Sequence, residues 1–174
     1  NGVEDVLIER NVFIDCDRGI AIGNPSGPTR STTDPWHSLG GIIRNNTILR
    51  GDYIALELCN TNGLKLYNNT IYSPDPYYFR TVHILDSPGE GQTTDLQFVN
   101  NIIRGRVLDN SSGDWSAQAI RNMGNIVDTT GSLVRPEWFA DVAGGDLHLT
   151  ALATAAIDAA VALPEVTEDM DTGF

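Results

Sequence analysis

No run of the sequence approaches the roughly 20 apolar residues that a membrane-spanning helix needs. The first ten residues, NGVEDVLIER, lack the basic and apolar parts of a secretory leader. Secretion stays open, because a processed chain looks the same. Bases are scarce as well: 11 Lys and Arg stand against 23 Asp and Glu, for a net charge of −12. Such a chain repels phosphate backbones, so nucleic acid is not an expected partner. Polyanionic sugars are repelled too, unless a cation bridges them or a local basic patch overrides the net field. Only two cysteines occur, Cys16 and Cys59, at different phases of the pattern described below, and they read as unpaired thiols. There is no P-loop and no dinucleotide fingerprint. The three histidines, His37, His83 and His148, are too scattered to suggest a metal cluster. The surplus of carboxylates leaves calcium open, with no site to name.

What is present is a repeat. Asn11, Asn46, Asn69 and Asn101 serve as anchors, and their flanks align. Five positions earlier stand Val6, Gly41, Leu64 and Leu96, and three earlier stand Ile8, Ile43, Leu66 and Phe98. Two later come Phe13, Ile48, Ile71 and Ile103. A weaker fifth copy surrounds Asn125, with Ile120 and Val127 in register but Asn122 at an apolar position. The residues two before each anchor, Glu9, Arg44, Tyr67 and Val99, are mixed and are expected to face outward. Period-two burial on both sides of a fixed asparagine means strand, corner, strand. The anchors are 35, 23, 32 and 24 residues apart, so each copy takes up its extra length in a loop. Copies stacked at the ~4.8 Å of paired strands set the asparagines above one another. Each amide then donates to and accepts from its neighbours, which satisfies a buried polar group.

These phrases, VLIERNVFI…RGIAIG, GIIRNNTIL…DYIALEL and LKLYNNTIY…RTVHIL, resemble the PbH1-type repeats of the pectate-lyase-like superfamily. The resemblance covers about residues 3–127 and implies an all-β right-handed parallel β-helix, a solenoid with an asparagine ladder of Asn11, Asn46, Asn69, Asn101 and Asn125. The scaffold carries lyases, hydrolases, epimerases, adhesins and inert spacers alike, so it specifies fold more than activity. FADVAGGDLHLTALATAAIDAA resembles the closing segment of secreted bacterial β-helix proteins, although Ala159 and Ala160 replace the usual glycine. Propensity alone would make ALATAAIDAAVAL a helix capped by Thr150. The resemblance instead implies an irregular segment or short helix that covers the last coil and blocks its strand edges. The expected organisation is therefore coils over 1–127 and a capping segment over 128–174 of the same domain. The first coil opens almost mid-phrase, which leaves room for upstream coils or another chain at that end.

If the asparagine corner joins the second strand to the third, the GI-type strand is the first of each coil, and in the resembled family clefts lie along its outer face. Alternation with Ile20, Ile22, Ile54, Leu56, Leu58, Val82, Ile84 and Val107 inward turns Ala21, Tyr53, Ala55, Glu57, His83 and Arg106 outward. Stacking would then line up Glu57, His83 and Arg106, flanked by Arg80 and Asp86. For a polyuronate lyase, Arg106 or Arg80 would neutralise a substrate carboxylate while His83 takes the adjacent proton. For a glycosidase, Glu57 and Asp86 are the nearby carboxylate pair. Lone charges on outward strand positions are more often simply solvated. The loop 23–41 brings Trp36 and His37 near this face as sugar contacts, with Tyr53, and Tyr78 stands on the other side with Tyr77. Asp34–His37, DPWH, partly resembles the Asp-Pro-His-Asp motif of alginate epimerases. Sequons at Asn45, Asn68 and Asn110 fall largely inside the repeat phrase and need no glycan to explain them. The expected function is action on, or binding of, polysaccharide by a secreted or cell-surface protein, leaning to a lyase or glycoside hydrolase. The alternative is a non-catalytic adhesin, spacer or assembly module.

Overall fold

The structure, a computed structural model, describes residues 2–25, 35–112 and 119–171, with backbone alone at 119–121. Each copy of the phrase becomes a set of short strands. The first gives β1 (Val3–Glu4), β2 (Leu7–Glu9) and β3 (Val12–Ile22), and the second β4 (Ser38–Leu39), β5 (Ile42–Arg44) and β6 (Thr47–Cys59). The third gives β7 (Thr61–Asn62), β8 (Lys65–Tyr67), β9 (Thr70–Tyr72) and β10 (Val82–Leu85). The fourth gives β11 (Leu96–Val99), β12 (Ile102–Arg104) and β13 (Val107–Asn110), and the fifth β14 (Ala119–Met123) and β15 (Ile126–Asp128). A 3-10 turn at Pro136–Trp138 and the antiparallel pair β16 (Phe139–Asp141) and β17 (Asp146–Leu149) follow.

The chain is all-β, and strands of successive copies pair in parallel as three sheets: β1-β4-β7, β2-β5-β8-β11-β14, and a curled sheet centred on β6. One arm of the curled sheet continues through β9, β12 and β15, the other through β10 and β13, with β3 along β6. The bend follows from sequence. The β3–β6 pairing slips between Ile14 and Cys16 and again before Arg18. There Gly51 lies so close to Asp15 and Cys16 that a Cβ would stand 2.7 Å from the Cys16 carbonyl oxygen. The matched apolar positions fall into register: Ile8, Ile43, Leu66 and Phe98 in one row, and Phe13, Ile48, Ile71, Ile103 and Val127 in another. With Ile20, Ile22, Leu56, Leu58, Val82 and Ile84 they fill one core between the sheets. Deleting a side chain as enclosed as Leu66 costs about 2–5 kcal/mol.

The asparagine doublets divide their work. The first residue of each, Asn45, Asn68 or Asn100, takes the left-handed corner at φ 53°, 53° and 59°, as do Arg10 and Gly124 at 56° and 66°. Asparagine tolerates that region better than most residues. The second residue is the ladder. Asn11 donates its backbone N–H and Nδ2 to Oδ1 of Asn46, both at 3.1 Å. Asn46 does the same to Asn69, Asn69 to Asn101 and Asn101 to Asn125, at 2.9–3.1 Å. Each Nδ2 also reaches a backbone carbonyl of the preceding copy: Asn46 to Ile8, Asn69 to Ile43, Asn101 to Leu66 and Asn125 to Phe98. The amide-to-amide bonds of the ladder are thus directional, each donated to the next copy.

Three expectations are corrected or extended. In the fifth copy Leu96 pairs with Ala119 rather than Ile120, and a bulge between Leu96 and Gln97 restores the expected register, with Phe98 facing Asn122. Asn122 stays exposed, and its Oδ1 accepts the Asn125 Nδ2 at 2.6 Å. Tyr67 and Val99 lie outside the central core, as expected, but away from solvent, fully enclosed by Leu163, Val161 and Val166. Among its described residues the closing segment forms no α-helix, only the 3-10 turn, and its contacts run back along the flank, not only over the last copy. Val134, Trp138, Phe139, Leu147 and Ala153 pack on Tyr72 and Ile102, Val161 bonds Asn100, and Glu168 reaches Asn45 and Arg10. Cys16 and Cys59 are free thiols. Among the described residues no helix is long and apolar enough to cross a membrane.

Asp128 anchors the start of this segment. Burial pushes its carboxyl up, but the N–H groups of Thr130, Val134 and Leu133 and the Thr130 hydroxyl outweigh that and lower it to about 2. A depressed carboxyl stabilises the fold above its unfolded value, and the contribution is lost as pH falls toward 2. At the far end, His148 sits 2.5 Å from Asp146 and 3.1 Å from Asp171, and its pKa is raised, chiefly by the Asp146 bond. A raised histidine stabilises below its unfolded value near 6.5, and that is lost as pH climbs through the folded one.

Two outcomes follow. Asn69→Ala strands the donors of Asn46 and the Ile43 carbonyl and lowers unfolding free energy by about 3 kcal/mol, whereas Asn68→Gly, which keeps the left-handed corner, changes it by about 1 kcal/mol or less; urea denaturation measures both. Amide exchange in Asp169–Asp171 accelerates between pH 6 and pH 9 beyond its intrinsic rise in the unmodified chain, and His148→Gln removes that excess.

Candidate functional site

The outer side of the β3–β6–β10–β13 arm carries the proposed row, and its register is Ala21, Glu57, His83, Leu108. Arg106 is not in it. Val107 pairs with Val82, which places exposed Arg106 beside Thr81, two residues earlier on its strand, and leaves Leu108 next to His83. Nor is the row solvated: Glu57 is 3% and His83 8% exposed. Alternation identified the side of the sheet; it carried no information about what lies above it.

Part of the cover is cationic. An Arg18 nitrogen lies 3.4 Å from Glu57 Oε1, and its guanidinium stands 5.2 Å from the Tyr53 ring. The Arg80 guanidinium stands 4.0 Å from the same ring and 4.6 Å from that of Phe79. Arginine stacks well on aromatic faces because the planar guanidinium is weakly hydrated. Next to this group, Arg50 stacks on Tyr78 at 3.9 Å and donates from Nε to Ser73 Oγ at 2.7 Å. Arg18, Arg50 and Phe79 were not singled out from sequence. The strand slips before Arg18 hide its phase, and Phe79 sits in the irregular phrase SPDPYYFR.

Beneath the cover, His83 Nδ1 is 3.7 Å from Glu57 Oε2, close enough for electrostatic attraction and too long for a hydrogen bond. Both His83 ring nitrogens, Glu57 Oε1, Thr81 Oγ1 and Arg80 Nε are buried without a hydrogen-bond partner among the described residues. Burial lowers the His83 pKa, with Glu57 opposing and Arg80 assisting. The imidazole is therefore neutral at pH 7 and has the protonation state of a base, but the closed cover denies it a substrate proton.

The remaining expected contacts have structural work. Asp86 Oδ1 accepts the Thr93 N–H at 2.6 Å, and Oδ2 accepts the N–H and hydroxyl of Ser112 at 2.9 and 2.7 Å. It clamps two loops and is not a free carboxylate opposing Glu57. The Trp36 indole donates to the Gln92 carbonyl at 2.9 Å and packs on Gly91. His37 is buried, its Nδ1 accepts the Asn24 N–H at 2.9 Å, and its backbone joins Asn60. Both sit at the β4 corner rather than on the face. Asp34, the first residue of DPWH, lies outside the described residues. Among those described, no group of three His, Cys, Asp or Glu side chains is placed to hold a metal ion, so calcium gains no named site.

Titration by NMR should give His83 a pKa below 6.5. Glu57→Gln lowers it further, because the carboxylate supports the imidazolium. Arg80→Ala raises it by removing both a cation and cover. A His83 value unmoved by either change would contradict the contacts described.

Compared with known proteins, the chain matches no family model, no curated protein and no solved structure, so its function has to be argued from this geometry and from the repeat phrase.

Proposed function

We propose that the chain is a right-handed parallel β-helix of a secreted or cell-surface protein, and that it binds acidic polysaccharide along the outer side of the β3–β6–β10–β13 arm. The directional asparagine ladder and the in-register apolar rows support the architecture. The observation that carries the function is the group of Arg18, Tyr53, Phe79 and Arg80, with Arg50 on Tyr78 beside it. In a chain of net charge −12, guanidiniums gathered on aromatic rings make a local basic patch of the kind an anionic sugar needs. Rings offer faces to pyranose C–H surfaces, and guanidiniums offer paired donors to carboxylates. Binding is favoured over turnover because Glu57 and His83 are covered and Arg106 and Asp86 stand apart from them. A lyase-type step would require a substrate carboxylate to draw Arg18 from Glu57, which would uncover the pair.

A second reading, a non-catalytic assembly module, is favoured by one observation. The strands of the first copy expose Val3, Leu7, Val12 and Ile14 at 44–52%, a row that another strand–corner–strand unit would cover.

The test is binding of size-defined polyuronates and neutral glucans, together with release of new reducing ends, by the unmodified chain, Tyr53→Ala with Arg80→Ala, and His83→Ala. Polyuronate binding that weakens with salt and falls about tenfold in the double variant, equivalent to ~1.4 kcal/mol, supports the reading. Turnover lost in His83→Ala adds catalysis to it. Equal, salt-insensitive retention of every glycan, or none, rejects the polysaccharide reading in favour of the module.

A further inference from the structure

The outer side of the sheet β2-β5-β8-β11-β14 is a groove already holding a peptide, namely the chain's own residues 161–171. Three kinds of contact hold it. The Asn100 amide grips one main-chain unit from both sides: Nδ2 donates to the Val161 carbonyl and Oδ1 accepts the Val161 N–H, each at 2.8 Å. Asn45 Nδ2 donates to the Glu168 carbonyl at 2.7 Å. Such bonds read backbone rather than side chain. Apolar contacts follow, with Val161, Leu163 and Val166 seated on Ile42, Tyr67 and Val99. Finally the segment's acids meet the groove's bases: Glu168 pairs with Arg10 at 2.5 Å, Glu165 Oε1 lies 3.7 Å from Lys65, and the Glu165 carbonyl accepts from Arg44.

The segment does not use the whole groove. Asn68 stands in the corner row between Asn45 and Asn100, yet its Oδ1 is buried without a hydrogen-bond partner among the described residues. It lines a cavity of about 550 Å³ bounded by Asn45, Thr70, His148, Val166 and Asp169. Here the strap spans the cavity, touching β6 where Met170 Sδ accepts the Thr47 hydroxyl at 3.3 Å, and is held at its far end by the His148–Asp171 contact.

We propose that this groove is a peptide-docking site for an extended acidic segment of another polypeptide, and that residues 161–171 are its resident occupant, displaced when the partner binds. The first asparagine of each doublet grips the partner's main chain, Tyr67 and Val99 take its apolar side chains, Arg10 and Lys65 take its carboxylates, and Arg44, already paired with Glu9, takes a main-chain carbonyl. This site is separate from the Arg–Tyr patch and does not depend on polysaccharide binding.

The probe is a fluorescent peptide of sequence AAVALPEVTEDMD, residues 159–171, offered to the full chain carrying Val161→Asp and Leu163→Asp, which lifts the strap and leaves the groove intact. Saturable binding is expected, at least tenfold tighter than to the unmodified chain and at least tenfold weaker once Asn45→Gly and Asn100→Gly are added, since glycine keeps the corner and removes the amide. Absence of saturable binding to a variant whose circular dichroism shows it folded, or binding indifferent to the asparagine changes, overturns the proposal. Should that variant not fold, amide exchange in the unmodified chain decides. Val161 and Val166 exchanging well ahead of β8 and β11 supports a displaceable strap, and exchange together with the core overturns it.

Discussion

The fold depends on the need to hydrogen-bond an amide that cannot reach water. At each corner the chain must turn sharply with its polar groups inside, and the ladder asparagine answers this by satisfying two neighbours together. Its Oδ1 receives both donors of the copy before it, and its own amide bridges the copy after it and a strand carbonyl of the copy before. A buried polar group left alone costs about 1–3 kcal/mol, and one within a closed chain of bonds costs little. The corner position fixes strand phase, strand phase fixes which side chains enter the core, and the loops are then free to differ in length.

Much of this was legible. The matched positions around Asn11, Asn46, Asn69 and Asn101 predicted the two apolar rows because a strand's period of two is rigid. The doublets were only half understood: nothing in the repeat distinguishes a ladder amide from a left-handed corner, since asparagine suits both. Asn122 was seen to break the pattern, but a bulge, which moves Ala119 opposite Leu96, leaves no trace in an apolar alternation. Tyr67 and Val99 do face away from the core, but their burial leaves no local signal, because the segment that covers them lies more than 60 residues further along the chain.

The site shows the same division between phase and context. Glu57 and His83 do share a row, as alternation requires, yet their burial depends on long side chains reaching across from other strands. Arg18 escapes pattern reading because its strand slips twice before it. What results is an outer layer in which arginine, tyrosine and phenylalanine take the place of a lid. Burial that keeps His83 neutral and cations that offset Glu57 are two outcomes of one arrangement.

The one-way sense of the ladder has a consequence for symmetry. At the first copy it presents an acceptor, Asn11 Oδ1, and at the fifth the donor of Asn125 is turned onto Asn122 at 2.6 Å. Two copies meeting through a two-fold axis across the first repeat would set oxygen against oxygen. Amide-to-amide contact between two such ladders is therefore heterologous, one end onto an unlike end.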